Sequence, residues 1–182
     1  MTSAIHTSRT THMPSAAHTV VLLTGGNLGD VAANMEAARS EVERRVGRVA
    51  AASKVYASPP WGFEAAEDFL NQVLVVQTEM EPLEVLDAVQ AIEERLGRWR
   101  EASRSSFPPP HLPSTSSPRY ASRTMDIDIL YYDDLIMDGE RLSVPHPLIA
   151  RREFALRPLC EVMPQWKDPR TGLTVEQMLS GL

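Results

Sequence analysis

A chain of 182 residues with 43% hydrophobic and 23% charged side chains has the balance of one globular domain, long enough to bury a core without cross-links. Its net charge of -6 excludes a general polyanion binder, although arginines gathered on one face could still hold a single nucleotide. Cys160 is the only cysteine, which excludes an internal disulfide and CxxC metal chemistry, and no apolar run approaches the length of a membrane span.

Residues Met1 to His18 are rich in Thr, Ser, Ala and His, show no apolar period and lack the hydrophobic stretch of a leader. They read as a flexible tail, with a single domain expected over 19–182 and a cytoplasmic setting without membrane or nucleic-acid partners. His6, His12 and His18 have no acidic or cysteine neighbour in a regular metal-ligand spacing, so they read as tail histidines.

Val20 to Leu23 form a buried strand running into Gly25, Gly26 and Gly29, a turn that lacks the Lys-Ser/Thr of a P-loop. Asp30 is placed to cap a helix whose apolar residues Val31, Met35, Ala38, Val42, Val46 and Val49 recur at helical spacing. A second strand is expected over Val49 to Ala57, then a loop in SPPWGFEAAED, where prolines and glycine interrupt any regular element. FLNQVLVVQTEM resumes as a strand with Phe69, Asn71, Val73 and Val75 on one face and Leu70, Leu74 and Val76 on the other. The next helix starts near Pro82 and carries Leu83, Leu86, Val89, Ile92 and Leu96 as its apolar stripe. Gln90, Glu93 and Gly97 lie beside that stripe, as a polar border would.

Ser103 to Pro118 is a Ser/Pro-rich segment, read as an exposed lid or insertion, with Arg98, Arg100, Arg104, Arg119 and Arg123 around it. Those guanidiniums are either ordinary surface charge or clamps for a phosphate chain. RTMDIDILYY follows. On a strand Asp126 and Asp128 point the same way, about 6.5 Å apart, while Ile127 and Ile129 enter a core. That spacing suits carboxylates gripping divalent ions roughly 3.5–4 Å apart, with Arg123 available to the phosphates they carry. A lone Asp-x-Asp can equally be a solvated strand face. Beyond it, Asp133-Asp134 and Asp138-Gly139 signal turns of a terminal hairpin, IARREFALRPLCEVMP is mostly helical with Cys160 packed inside, and Thr174 to Leu179 form a last short helix. His146, between two prolines, reads as a loop or core imidazole.

The order β-α-β-β-α-β with C-terminal hairpin and helical extensions gives an α+β fold with a ferredoxin-like antiparallel sheet covered by helices. GGNLGD, SPPWGF, FLNQVLVVQT, IEERLGRWR, RTMDIDILYY and LSVPHPLIARREFALRPLCEVMP, in this order from about Val20 to Met163, resemble the 6-hydroxymethyl-7,8-dihydropterin pyrophosphokinases of folate biosynthesis. The resemblance implies transfer of diphosphate from ATP to the pterin's hydroxymethyl group, with release of AMP. It implies two Mg²⁺ ions on Asp126 and Asp128, with Arg123 and Arg100 joining the catalytic set. It further implies a pterin stacked between Phe69 and Phe154, its edge read by Asn71 and the backbone around Ser58, Pro59 and Trp61, and Tyr120 closing over it. ATP would be held by Gln90, Glu93, Arg98, Arg119, Ile129, Arg141, Ser143, His146 and Arg152, and the enzyme would work as a monomer. Two departures stand out: Gly26 replaces the family's usual Ser between Gly and Asn, and Arg119-Tyr120-Ala121-Ser122-Arg123-Thr124 replaces its Arg-Trp-Gly-Pro-Arg-Thr. The rival readings are another two-metal nucleotide transferase on the same scaffold, distinguished by its product, and a pterin-binding module without catalysis, which would have no use for two aspartates.

Overall fold

The computed structural model describes residues 17–61, 67–97 and 123–182. The elements run β1 (His18–Gly26), α1 (Val31–Arg45), β2 (Arg48–Ala52), β3 (Tyr56–Ser58), β4 (Phe69–Thr78), α2 (Pro82–Arg95), β5 (Asp126–Tyr132), β6 (Met137–Asp138), β7 (Ser143–Val144), a 3₁₀ turn (Ile149–Arg151), α3 (Glu153–Val162) and α4 (Val175–Ser180). The main sheet has the order β2-β4-β1-β5, with β3 added beside the start of β4, and every pairing is antiparallel. Two interleaved split βαβ units produce that order, consistent with the ferredoxin-like sheet expected from the element sequence.

β1 is central and covered on both sides, which is why it reads as an unbroken apolar run. Val20 and Leu22 face one cluster, built with Met35, Ala38 and Val42 of α1 and Val85, Val89 and Ile92 of α2. Val21 and Leu23 face a second, built with Ala155, Leu156 and Leu159 of α3 and Val175 and Met178 of α4. The molecule therefore has three layers, and each fully buried aliphatic side chain contributes about 1.5–3 kcal/mol. Asp30 caps α1 by accepting from Ala33 N at 3.0 Å. Among the described residues no helix is long and apolar enough to cross a membrane.

Four details depart from the sequence expectation. His18 belongs to β1, not to the tail, because its ring bonds Asp133 at 2.7 Å and lies against Tyr132, with centroids 4.9 Å apart. The strand expected over Val49 to Ala57 divides into β2 and β3. Ser53 ends the first piece by exchanging bonds with Val73, through its own N–H at 2.9 Å and its Oγ at 3.0 Å. Lys54 N and Tyr56 Oη then both donate to Glu161 of α3 at 3.0 Å, which pulls the chain outward before β3. On α2, Leu83 is 41% exposed while Val85 is fully buried, since the helix begins at Pro82 and its phase places Val85 inward. Finally, Gly25 and Gly26 belong to β1, and the turn comes later, where Gly29 adopts φ +72°. A Cβ on Gly26 would lie 2.5 Å from the Thr124 carbonyl oxygen, so the missing serine side chain lets β1 end against the approach to β5.

Candidate active site

The sheet register assembles the site. Tyr56, Asn71, Gly25 and Asp126 are successive partners in one row across β3, β4, β1 and β5, and Val73, Leu23 and Asp128 form the next row but one, on the same face. Side chains of one row share a face, so Asn71, Asp126 and Asp128 all emerge on the side that α3 covers. Between Asn71 and Asp126 stands Gly25, where a Cβ would come 2.8 Å from Asn71 Oδ1. The residue therefore leaves a groove in the sheet surface, and Asn71, 3% exposed, occupies it with its Nδ2 donating to Ser58 Oγ at 2.9 Å. Same-face partners on β5 place the two aspartates about 6.5 Å apart along the strand.

Both aspartates meet guanidiniums. Arg123 pairs with Asp126, and Arg152 Nη1 lies 3.2 Å from Asp128. Arg152 is 6% exposed. Its guanidinium sits 5.4 Å from the Trp61 ring centroid and 5.5 Å from that of Phe154, within range of cation–π attraction, and the two rings are 6.3 Å apart. The family resemblance drew only the backbone near Trp61 into the site, whereas its indole forms part of the wall.

Arg152 Nη1 also lies 3.3 Å from His146 Nε2, and Leu148 N approaches the other ring nitrogen at 3.2 Å. Burial, helped by the Arg152 charge, pushes the His146 pKa down to about 4. The ring is thus neutral at physiological pH. A nitrogen-15 imidazole titration is expected to show one histidine neutral down to about pH 4. Since the unfolded ring binds its proton more tightly, the contribution of His146 to stability is full above about pH 6.5 and lost as pH falls towards the folded value. Replacing His146 with Gln should flatten stability against pH in that window, and an unchanged slope would show that the ring is not held neutral.

The opposite wall comes from α2 and the β6–β7 hairpin. Leu86 and Gln90 of α2 line the cleft together with Arg141, Leu142 and Ser143 of the hairpin and with Ile127 and Ile129 of β5. Glu93, expected on a polar border, is 1% exposed, and its Oε1 accepts from Ile127 N at 2.8 Å. It therefore fixes the backbone between the two aspartates. Gly97 takes no part in such a border; it ends α2 with φ +91°, a left-handed conformation that glycine adopts freely. Arg141 pairs with Asp87 at the rim, a contact no sequence pattern suggested.

These elements enclose one cleft of about 370 Å³. It brings together Ser58, Pro59, Trp61, Phe69, Asn71 and Phe154 with Gln90, Glu93, Arg123, Asp126, Asp128, Ile129, Arg141, Ser143, His146 and Arg152. Arg98, Arg100, Arg119, Tyr120 and the 103–118 segment lie outside the described residues. Leu23, Gly25, Leu86, Leu142 and Pro147 also line the cleft and were not singled out beforehand. Of these only Gly25 left a signal, its place in a glycine pair at a strand end. Among the described residues no three His, Cys, Asp or Glu side chains gather as a self-sufficient metal site. Two carboxylates beside an open cleft instead match an ion such as Mg²⁺, which takes one or two protein oxygens and completes its shell with water and substrate phosphates.

The family model described as 7,8-dihydro-6-hydroxymethylpterin-pyrophosphokinase matches residues 21–164. The 2-amino-4-hydroxy-6-hydroxymethyldihydropteridine pyrophosphokinase of Synechocystis sp. is 32% identical over 170 residues, covering 93% of this chain and 78% of the relative. The protein of the same description from Porphyromonas gingivalis is 35% identical over 151 residues, covering 82% and 93%. Among solved structures, wild-type Plasmodium falciparum HPPK-DHPS with pteroate superposes with a TM-score of 0.70 at 15% identity. That superposition covers 91% of this chain but only 44% of the longer one, and it supports the fold.

Proposed function

The chain belongs to the 7,8-dihydro-6-hydroxymethylpterin-pyrophosphokinase family, and from that premise we propose how its residues divide the work. The enzyme transfers diphosphate from ATP to the hydroxymethyl group of 6-hydroxymethyl-7,8-dihydropterin and releases AMP, a step of folate biosynthesis. One observation carries the assignment of roles: two aspartates share a strand face with a buried asparagine, inside a cleft with an aromatic end and an arginine-lined end.

The pterin lies at the aromatic end, flanked by Phe69 and Phe154 beside Trp61, with Asn71, Ser58 and Pro59 at its hydrogen-bonding edge. Asn71 suits this role because its amide offers both donors and an acceptor. The nucleotide lies between α2 and the hairpin, touching Gln90, Glu93, Ile129, Arg141, Ser143, His146 and Arg152. Arg98, Arg100, Arg119 and Tyr120 join them on the family resemblance alone. Asp126 and Asp128 would hold two Mg²⁺ ions, which would offset phosphate charge and ease loss of the pterin hydroxyl's proton.

In the reaction the pterin oxygen forms a bond to the β-phosphorus, the bond from that phosphorus to the α,β-bridging oxygen breaks, and AMP departs. Asp126 accepts the hydroxyl proton. Arg123 leaves its contact with Asp126 to meet the transferring group, and Arg152 steadies Asp128 while offsetting negative charge. Neutral His146 contributes hydrogen bonding and shape rather than charge. Positioning therefore dominates, with aromatic walls excluding water from the attacked phosphorus. The enzyme is proposed to work as a monomer. A cytoplasmic setting fits the single cysteine. Elution of the purified enzyme at about twice its mass would overturn the monomer.

The test is incubation with ATP, Mg²⁺ and the reduced pterin alcohol. AMP is expected in equal amount with pterin diphosphate, and ADP or free pyrophosphate as the primary product would sink the proposal. Phe154→Ala should weaken pterin more than nucleotide binding, since a flat heterocycle gains about 0.5–1.5 kcal/mol from stacking beyond its burial. Calorimetry with each ligand separates this from a packing role, in which stability would fall and pterin affinity would not.

A further inference from the structure

We propose that Arg170, which lies outside the cleft and beyond the segment matched by the family model, is a positioning residue for the nucleotide-binding hairpin. The inference rests on the preceding assignment of the β6–β7 hairpin to ATP. That hairpin has only two residue pairs, Met137 with Val144 and Asp138 with Ser143. So short a ladder does not hold its own orientation in water. Yet it carries Arg141 and Ser143, and leads within two residues into His146.

The support comes from the turn between α3 and α4. Asp168, 2% exposed, accepts from Arg170 N at 3.0 Å, from Thr171 N at 2.8 Å and from Thr171 Oγ1 at 3.0 Å through one oxygen. Its other oxygen accepts from Tyr131 Oη of β5 at 3.0 Å, which ties the turn to the strand that bears the catalytic aspartates. From this fixed base the Arg170 guanidinium reaches the hairpin. Its Nη1 donates to Asp138 Oδ2 at 3.1 Å, its Nη2 donates to Asp138 Oδ1, and longer contacts from Nη2 meet Val144 O at 3.4 Å and Met137 O at 3.5 Å. One planar fork thus touches both strands of the hairpin at a single rung and the carboxylate of the next. Five donors in fixed geometry make this possible, and an ammonium could not reproduce it. The result is a brace from β5, through Asp168 and Arg170, to the far wall of the cleft.

Calorimetric titration with Mg²⁺ and α,β-methylene-ATP is the experiment. Arg170→Ala should weaken binding about fivefold, the order expected of a partly exposed ion pair with added backbone contacts. Asp138→Ala should do the same, and Arg170→Lys should recover only part of the loss. Turnover at saturating ATP should stay within about twofold of wild type, so that KM moves and kcat does not. Met178→Ala, which loosens α4 without touching the hairpin, should lower thermal stability and leave nucleotide affinity unchanged. If Arg170→Ala and Arg170→Lys both bind the analogue as wild type does, or if Met178→Ala weakens binding equally, the brace is refuted. Arg141→Ala separates the two levels of inference. Loss of affinity there but not at position 170 overturns only the brace, whereas no loss at either overturns the nucleotide wall itself.

Discussion

Asp126→Asn and Asp128→Asn are each expected to cut AMP release by about a thousandfold or more while the fold persists. The magnitude follows from removing a ligand to charge-compensating metal at a transition state, a contact worth roughly 4 kcal/mol or more. Asparagine is the informative replacement because it keeps a hydrogen-bond acceptor for the Arg123 and Arg152 contacts. The two effects on binding should diverge. Each substitution removes a negative charge next to an arginine, so affinity for ATP without Mg²⁺ should hold or rise, while the gain in affinity on adding Mg²⁺ should shrink. Turnover within about tenfold of wild type in both variants would mean that the strand face holds no metal.

The second large effect is expected at Arg152. Arg152→Ala should reduce kcat/KM by about a hundredfold, or about 2.7 kcal/mol of transition-state stabilisation. Among the described residues Arg152 links a catalytic carboxylate, the buried imidazole and the aromatic wall, at 3.2 Å from Asp128, 3.3 Å from His146 and within 5.5 Å of the Trp61 and Phe154 ring centroids. Its loss should raise the KM for both substrates, a pattern that no residue confined to one end of the cleft would give. Arg152→Lys should rescue little, because a compact ammonium cannot lie flat beside two rings while bonding a carboxylate. An effect limited to one KM, or full recovery with lysine, would reduce Arg152 to an ordinary ATP contact.

The period-two pattern of β5 made the shared face of Asp126 and Asp128 legible, and the alternation in β4 did the same for Phe69 and Asn71. Ordered motifs supplied most of the other cleft residues, though not Leu23, Leu86, Leu142 or Pro147, and the antiparallel α+β architecture followed from the succession of periodicities. What stayed hidden depended on partners distant in sequence. Glu93 sits where a helix meets solvent by pattern, and only the packing of α2 on β5 shows that it binds the Ile127 amide. Arg152 looks like any charge ahead of a helix until Trp61 and Phe154 close around it. Ser53 interrupts an apparently continuous strand because its hydroxyl competes for the backbone of Val73, which no propensity for Val49 to Ala57 encodes. Leu83 and Val85 were exchanged because both fit a helical stripe, and the choice depends on the helix's rotation against the sheet.

The pairing of β1 with β5 slips by one residue, Val21 facing Tyr131 but Leu22 facing Ile129, so that Leu130 is the extra residue of a bulge. Ile127, Ile129 and Tyr132 consequently join the cluster under α1 and α2, whereas Leu130 and Tyr131 both join the one under α3 and α4. The strand behaves like two gratings joined with a half-period offset. Upstream, the phase aims carboxylates into the cleft; downstream, it aims the Tyr131 hydroxyl at Asp168. Without the offset these two alignments are incompatible, for Tyr131 has the opposite parity to Asp126 and Asp128. Deleting Leu130 would restore strict alternation, with Asp126, Asp128 and Tyr131 still on one face and Ile127, Ile129 and Tyr132 on the other, and would remove only the leucine's own packing under α3 and α4. The bulge thus absorbs one residue beyond the alternation, so that catalysis and architecture share one strand.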